Sequence, residues 1–261
     1  MRANLVNFDM RTYGKLLVFL KGRYKVIPFA AFTKSDKSFL VLRHDVDISL
    51  GAALEMARFE RQRGIVATYF VHLWNRFYNL RGADDLQLLR RLSHMGHEVG
   101  LHYDIERYRV YQQHLSRSLL EEIRILEKLT RKRVRSIAMH NPDPLVRDPI
   151  GRIPGYINAY RFNREHDVFY VSDSCMSWRI ADAHELVAGS PKRVQLLIHP
   201  IQWVMGAKNR YRLLDQWFDG IERENLQYRV SWKKLWASLA RVKEYDAEVR
   251  DHRRLLDFDG D

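Results

Sequence analysis

Phe39-Leu-Val-Leu-Arg-His-Asp45-Val-Asp47 is an apolar run that ends in two carboxylates with only Val46 between them. The run has the length and the apolar content of a buried strand. Carboxylates are seldom left at the end of such a strand without a partner, and a bound cation is the commonest reason for gathering them there. The competing reading is local: Asp47 or Ser49 caps the helix that begins near Gly51-Ala-Ala-Leu-Glu-Met-Ala. Because side chains alternate along a strand, Asp45 and Asp47 face the same side.

The same ending recurs down the chain. A helical stretch from Asp85 to Met95 stops at Gly96, and His97-Glu-Val-Gly-Leu-His102 follows as a short strand. Val134-Arg-Ser-Ile-Ala-Met-His140, Val168-Phe-Tyr-Val-Ser-Asp173 and Val194-Gln-Leu-Leu-Ile-His199 repeat the pattern. Each apolar run delivers a group that binds metal or moves protons. One buried histidine is most often a hydrogen-bonded core residue, but repetition at successive strand ends points to a site assembled on one edge of a sheet.

Strands are predicted at 38–44, 66–72, 97–102, 133–139, 167–172 and 194–198, and helices at Leu50–Arg63, Asp84–Met95 and Val110–Arg131. This alternation predicts an α/β fold with a parallel sheet and helices outside. Residues 1–37 form a helical or strand-like lead-in, and residues 229–261 a basic helix and tail. No repeat or linker marks a second domain, so 1–261 is read as a single catalytic domain. With 261 residues and 46% hydrophobic content the chain can bury one large core.

In order and type, Asp-x-Asp at 45–47, Gly96-His-Glu-x-Gly-x-His102, Asp173-Ser174 and Leu197-Ile-His-Pro200 resemble the polysaccharide deacetylase family, the NodB-homology carbohydrate esterases. The resemblance runs from about Ser38 to about Trp203. Arg43-His-Asp-Val-Asp, Thr68-Tyr-Phe, Tyr78-Asn79 and His102-Tyr-Asp are similar to a divergent branch that includes proteins of bacterial surface-glycan (O-antigen and capsule) loci. The resemblance implies a distorted, incomplete (β/α) barrel with its site at the carboxyl ends of the strands. It also implies a metal-dependent hydrolase that removes an acetyl group from an N-acylated sugar, with zinc as the expected metal.

By the same resemblance Asp45 is the catalytic base, Asp47 and His102 are metal ligands, and His199 is the general acid. Where the family usually places a second metal histidine, four residues after the first, this chain has Glu106. His140 is therefore taken as the third ligand, with Glu106 as the competitor. The arginine that holds the base carboxylate in the family is replaced around His140-Asn141-Pro142, leaving Arg43 to restrain Asp45. Asp173 is assigned to orient His199 through a ring nitrogen, or else to cap a turn. A serine-hydrolase reading of Asp173, Ser174 and His199 lacks the glycines of a nucleophile elbow. Tyr78, Asn79, Trp178 and Trp203 are candidates for sugar contact or for core. His97 and Glu98 are read as structural partners, and His44 and His72 as facing the core or the helices. The altered motifs keep a second class open, a catalytically degenerate barrel that binds a glycan or a biosynthetic partner.

Cys175 is the only cysteine, which excludes an internal disulfide framework and fits a reducing compartment. Leu16-Leu-Val-Phe-Leu20 is too short for a signal-peptide core, so a cytoplasmic location is expected. A formal net charge of +12 suits an anionic partner, such as a nucleotide-linked or lipid-linked sugar. No nucleic-acid motif is found. From Ser231 to Tyr245, Trp232, Trp236, Leu239 and Val242 share a helical face, expected either to pack on the barrel or to lie on a membrane surface.

Overall fold

The computed structural model describes residues 7–110, 115–141, 152–178, 185–189 and 191–256, with side chains left aside at 109, 110, 185, 187 and 240–256. Residues 111–114 of the helix predicted at Val110–Arg131, and Pro142, lie outside the described set. The chain divides into two compact units, Met1–Arg210 and Tyr211–Asp261.

The first unit is built on a parallel sheet. Its strands are β1 (Val26–Ile27), β2 (Phe39–Val46), β3 (Thr68–Val71), β4 (Glu98–Tyr103), β5 (Ser136–Met139), β6 (Ile157–Asn158), β7 (Phe169–Ser172) and β8 (Arg193–Ile198). They lie in the order β6-β5-β4-β3-β2-β8-β7, with β1 also paired to β2. Every ladder is parallel. Among the described residues β6 and β7 are the two outer strands and do not pair, so the sheet is an open half-barrel surrounded by helices. The alternating pattern predicts this parallel sheet with helices outside, and the resemblance its form as a distorted, incomplete (β/α) barrel.

Helices α1 (Met10–Lys21), α2 (Leu50–Arg61), α3 (Ala83–His94), α4 (Ile105–Val110), α5 (Leu115–Thr130) and α6 (Ala159–Glu165) accompany the strands. The lead-in is thus mainly helical. Asp9 caps α1, its carboxylate accepting from the Thr12 N–H at 2.6 Å. Ser49 caps α2 by accepting from the Ala52 N–H at 3.1 Å. Asp47 is therefore not needed as a cap.

Both faces of the sheet are covered. A large apolar cluster from strands and helices includes Leu40, Leu42, Val71, Leu101, Leu126 and Trp203, while a smaller one gathers Phe29, Phe39, Val41, Phe70, Ala138 and Phe162. Phe39, Val41, Phe70 and Ala138 of the smaller cluster share strands and side-chain parity with Arg43, Asp45 and His102, so it floors the site. Gly100 belongs here for a steric reason: a Cβ on it would stand 2.4 Å from Phe70 Cε1 and 2.9 Å from the Ser136 carbonyl oxygen.

On the opposite side of β2, His44 is tied to α2. Its Nε2 lies 2.7 Å from Glu60 Oε1, the Tyr69 hydroxyl donates to Oε2 at 2.8 Å, and the Tyr13 hydroxyl donates to Oε1. Glu60 is fully buried, and these partners satisfy a carboxylate that would otherwise be costly to place there. His97 Nε2 meets the Ala57 carbonyl at 3.0 Å, and Glu98 accepts from Thr68, Ser136 and Ala30. His44, His97 and Glu98 are structural in this way.

The second unit consists, as described, of most of one helix. Helix Arg210–Leu256 is 47 residues long and takes in the predicted segment Ser231–Tyr245. No helix among the described residues is long and apolar enough to cross a membrane.

Candidate metal centre and acid–base site

Strand register builds the site. Val46 pairs with Val71 and Val71 with Leu101, so Asp47, His72 and His102 stand at one level across three neighbouring strands. His102 pairs in turn with Ala138, and His140 lies two residues beyond on the same face.

The side chains converge. Asp47 Oδ1 is 3.4 Å from His72 Nε2, 3.3 Å from His102 Nε2 and 3.4 Å from His140 Nδ1, and the two nitrogens of His102 and His140 are 3.4 Å apart. All four donor atoms lie within 4.8 Å of one another. These separations can be tested against a cation. Ligands about 2.0–2.1 Å from a tetrahedral centre are about 3.3–3.4 Å from each other, the spacing found for these pairs. Three imidazole nitrogens and one carboxylate oxygen are also a donor set suited to zinc and neighbouring divalent metals. The residues present fit a metal ion.

The tautomer of His102 agrees. Its Nδ1 faces the Ala138 carbonyl at 3.0 Å, so Nδ1 carries the proton and Nε2 presents a lone pair to the cluster. Burial lowers the His72 pKa to about 4, with the neighbouring His102 adding to the effect against Asp47, and leaves a neutral ring ready to coordinate. Burial opposes ionisation of Asp47, but the close approach of His102, His140 and His72 holds its pKa well below the usual value. For His140 burial disfavours the charged ring, while Asp47 outweighs it and raises the pKa.

Asp47, His102 and His140, expected from sequence, meet in one cluster. His72 joins them, contrary to the expectation that it faces the core or helices. Its position directly after β3 was the available signal, since it ends its strand as His102, His140 and His199 end theirs. Glu106 does not take part. It is exposed at the start of α4, where its N–H donates to Asp104.

Arg43 and Asp45 lie on the same face of β2, one pleat apart. Arg43 Nε and Nη2 donate to the two oxygens of Asp45 at 2.8 and 2.7 Å, a bidentate pair with both side chains buried. The guanidinium is 4.9 Å from the centre of the Tyr160 ring and 5.3 Å from that of Phe70. Burial works against the Asp45 carboxylate, yet Arg43 and then His102 hold its pKa below the ordinary value.

At β7 and β8, Asp173 receives three donors. The His199 backbone N–H reaches its two oxygens at 3.1 and 3.0 Å, His199 Nδ1 lies 2.5 Å from Oδ1, and the Trp203 indole N–H donates to Oδ2 at 2.8 Å. Trp203 lies one turn beyond His199 on the short helix α7 (Pro200–Val204), which Pro200 opens at its first position. With Nδ1 held by a carboxylate, His199 turns Nε2 toward the cluster, 3.7 Å from Asp47 Oδ2. In the metal-free protein, burial pulls its pKa down but Asp173, with smaller help from Asp47 and Asp45, pushes it up to about 9.

Asp45, Asp47, His102, His140 and His199 border one cavity of about 440 Å³, whose lining also includes Tyr160 and Tyr170. Ser174 bonds to Ser172 at 2.6 Å, and no bond to His199 is found among the described residues. Of the aromatic candidates, Trp203 and Tyr78 are buried. Tyr78 accepts from the His72 N–H and donates to the Val46 carbonyl, both at 2.8 Å, bracing the ends of β2 and β3. Trp178 stacks 6.2 Å from Phe8, and Asn79 sits in a turn that bonds to Asp85. None of the four is seen lining the cavity.

No family model and no curated protein matches the chain. Among solved structures it is similar to the chitin deacetylase of Colletotrichum lindemuthianum, at 16% identity and a TM-score of 0.42 over 74% of this chain and 86% of that one. A family 4 carbohydrate esterase from Bacillus anthracis gives 15% and 0.36 over 81% and 86%. A CE4 family pseudoenzyme from Bacillus anthracis gives 14% and 0.39 over 74% and 63%. A mutant of a CE4 pseudoenzyme with restored activity gives 13% and 0.40, and this chain spans 65% of its length. At these values the likeness carries no weight for chemistry, which rests on the geometry above.

Proposed function

We propose that this chain is a metal-dependent carbohydrate N-deacetylase. The observation that carries the reading is the convergence on one cavity of three members of a four-donor cluster, a carboxylate clamped by a buried arginine, and an imidazole clamped by a buried carboxylate. A binding surface has no use for two oppositely tuned proton carriers.

Asp47, His72, His102 and His140 would hold the metal, with zinc favoured by the nitrogen-rich donor set. Such an ion, when bound, polarises a carbonyl and acidifies water. The chain's own groups then account for the protons. Asp45, kept ionised by Arg43, takes a proton from the attacking water. His199, carrying its extra proton on Nε2, gives one to the departing amine as the C–N bond breaks. Water and amide become acetate and amine, and both side chains are restored by returning one proton.

The favoured substrate is an N-acetylated sugar on an anionic carrier, a nucleotide or lipid pyrophosphate, within surface-glycan synthesis. The net charge of +12 supports an anionic partner. The test is metal quantification followed by acetate release from nucleotide-linked and polyprenyl-pyrophosphate-linked N-acetyl sugars at rising salt. Turnover should fall about 10²–10⁴-fold in each of Asp45→Asn and His199→Ala while metal content is retained. Near-normal turnover in either variant removes its role, and deacetylation of neutral chitin oligomers alone, without salt dependence, removes the anionic carrier.

A further inference from the structure

The 47-residue helix Arg210–Leu256 carries a strict repeat. Every seventh position from Leu214 is apolar: Leu214, Ile221, Tyr228 and Leu235, continued in the sequence by Val242, Val249 and Leu256. A second column, four residues on from the first, reads Phe218, Asn225, Trp232 and Leu239 and turns charged at Asp246 and Arg253. Tyr228, Trp232, Leu235 and Leu239 are all exposed, Tyr228 by 65%. We propose that this face binds the same face of a second copy of the chain, forming an antiparallel two-helix coiled coil.

The period selects this occupant. On a straight helix a seven-residue repeat drifts by about 20° per heptad, so over this length the stripe winds well away from any flat surface. A membrane plane cannot follow it, whereas a partner helix supercoiling with it can. The partner must also be long. Among the described residues the next longest helix is Leu115–Thr130, of 16 residues, too short to cover the stripe, whereas a second copy supplies a helix of equal length and period.

Charge sets the direction. The column beside the apolar one reads Asp215, Glu222, Arg229, Trp236, Lys243 and Arg250 in the sequence, acidic at its start and basic at its end. Antiparallel pairing lays the acidic end of each copy on the basic end of the other. Asn225, polar between Phe218 and Trp232 of the second column, is a residue type that restricts such helices to one register.

The experiment uses the full chain, with light scattering and sedimentation velocity over a range of concentrations. The expected mass is about twice the 31.1 kDa of one chain, a single heptad stripe being the pattern of a two-stranded coil. Tyr228→Glu with Leu235→Glu should raise the dissociation constant at least about a hundredfold, because two buried apolar contacts per copy become charged. Helical circular dichroism and metal content should stay unchanged, which separates lost pairing from lost folding. Glu222→Lys should weaken the dimer and Glu222→Lys with Lys243→Glu restore it. A dimer indifferent to both charge variants overturns the antiparallel arrangement. A chain monomeric at every concentration overturns the proposal, as does a dimer that survives the double glutamate variant. Sedimentation of a monomer with phosphatidylcholine–phosphatidylglycerol vesicles would instead assign the face to a membrane surface.

Discussion

Replacing Arg43 by methionine tests the electrostatics of the site most directly. Arg43 is fully buried and Asp45 is 4% exposed, and their two hydrogen bonds of 2.8 and 2.7 Å are made out of reach of water. Methionine keeps much of the apolar stem against Phe70 and Tyr160 but leaves the Asp45 charge uncompensated. Removing one partner of a buried ion pair costs about 3–5 kcal/mol, because the remaining charge has lost the interaction that offset its desolvation. For a chain of this size that corresponds to a fall in Tm of roughly 6–20 °C. Arg43→Met combined with Asp45→Leu should recover most of the loss, since an apolar pair carries no desolvation cost.

The pH dependence has a definite sign. In the wild type the Asp45 pKa is held below its ordinary value of 3.8, so the pair adds stability that is present above that value and fades as pH falls through the folded pKa. In Arg43→Met burial is opposed only by the more weakly acting His102 and His199, and the pKa rises. Its penalty is absent in acid and grows as pH rises above the unfolded value. The stability gap between the two proteins should therefore be widest near neutrality, narrow toward pH 4 as the variant's penalty disappears, and close only below the wild type's folded pKa. Urea unfolding of chelator-treated protein at several pH values measures it. A gap under about 1 kcal/mol at neutral pH, or one independent of pH, refutes the account of Arg43 as the counter-charge of Asp45.

Three further outcomes follow from contacts elsewhere in the barrel. His72→Ala and His140→Ala should each weaken zinc affinity at least about a hundredfold while Glu106→Ala leaves it unchanged, as read by competition with a chromogenic chelator; the reverse ranking would move the ligand to Glu106. Trp203→Phe keeps the ring against Tyr13 and Phe8 but removes the indole donor from Asp173, and should cost about 1.5–3 kcal/mol in urea unfolding with a lowered kcat; equal stability would mean that bond does not support the acid. Gly100→Ala should lose about 1–3 kcal/mol by forcing Phe70 aside, and Phe70→Leu in the same chain should return part of it, whereas simple additivity of the two changes would show that the contact is not the cause.

Strand-end reasoning located Asp45, Asp47, His102, His140, Asp173 and His199 because each is delivered by an apolar run visible along the chain. It passed over His72, which ends β3 in the same manner, because a single histidine among Phe70, Val71 and Leu73 reads locally as core. What distinguishes it is register: Val46 opposite Val71, and Val71 opposite Leu101. Trp203 reads as a candidate for sugar contact or for core, and it is buried in the core. Its function as a donor to Asp173 depends on β7 lying beside β8, with α7 turning back over both.

Sequence by itself determined the alternation of strands and helices and the order of the chemical groups, since both are written along the chain within single segments. It also put Arg43, Asp45 and Asp47 on one face, as neighbours two apart in an extended chain must be. The choice among equally spaced alternatives belonged to the tertiary structure. Glu106 and His140 competed for the metal, and Asp47 and Ser49 for the helix cap, at positions that local pattern could not separate. Strand pairing brings His140, and not Glu106, beside Asp47 and His102, and leaves the cap to Ser49, because distances of a few ångströms between residues far apart in sequence are set only by the order and register of the sheet.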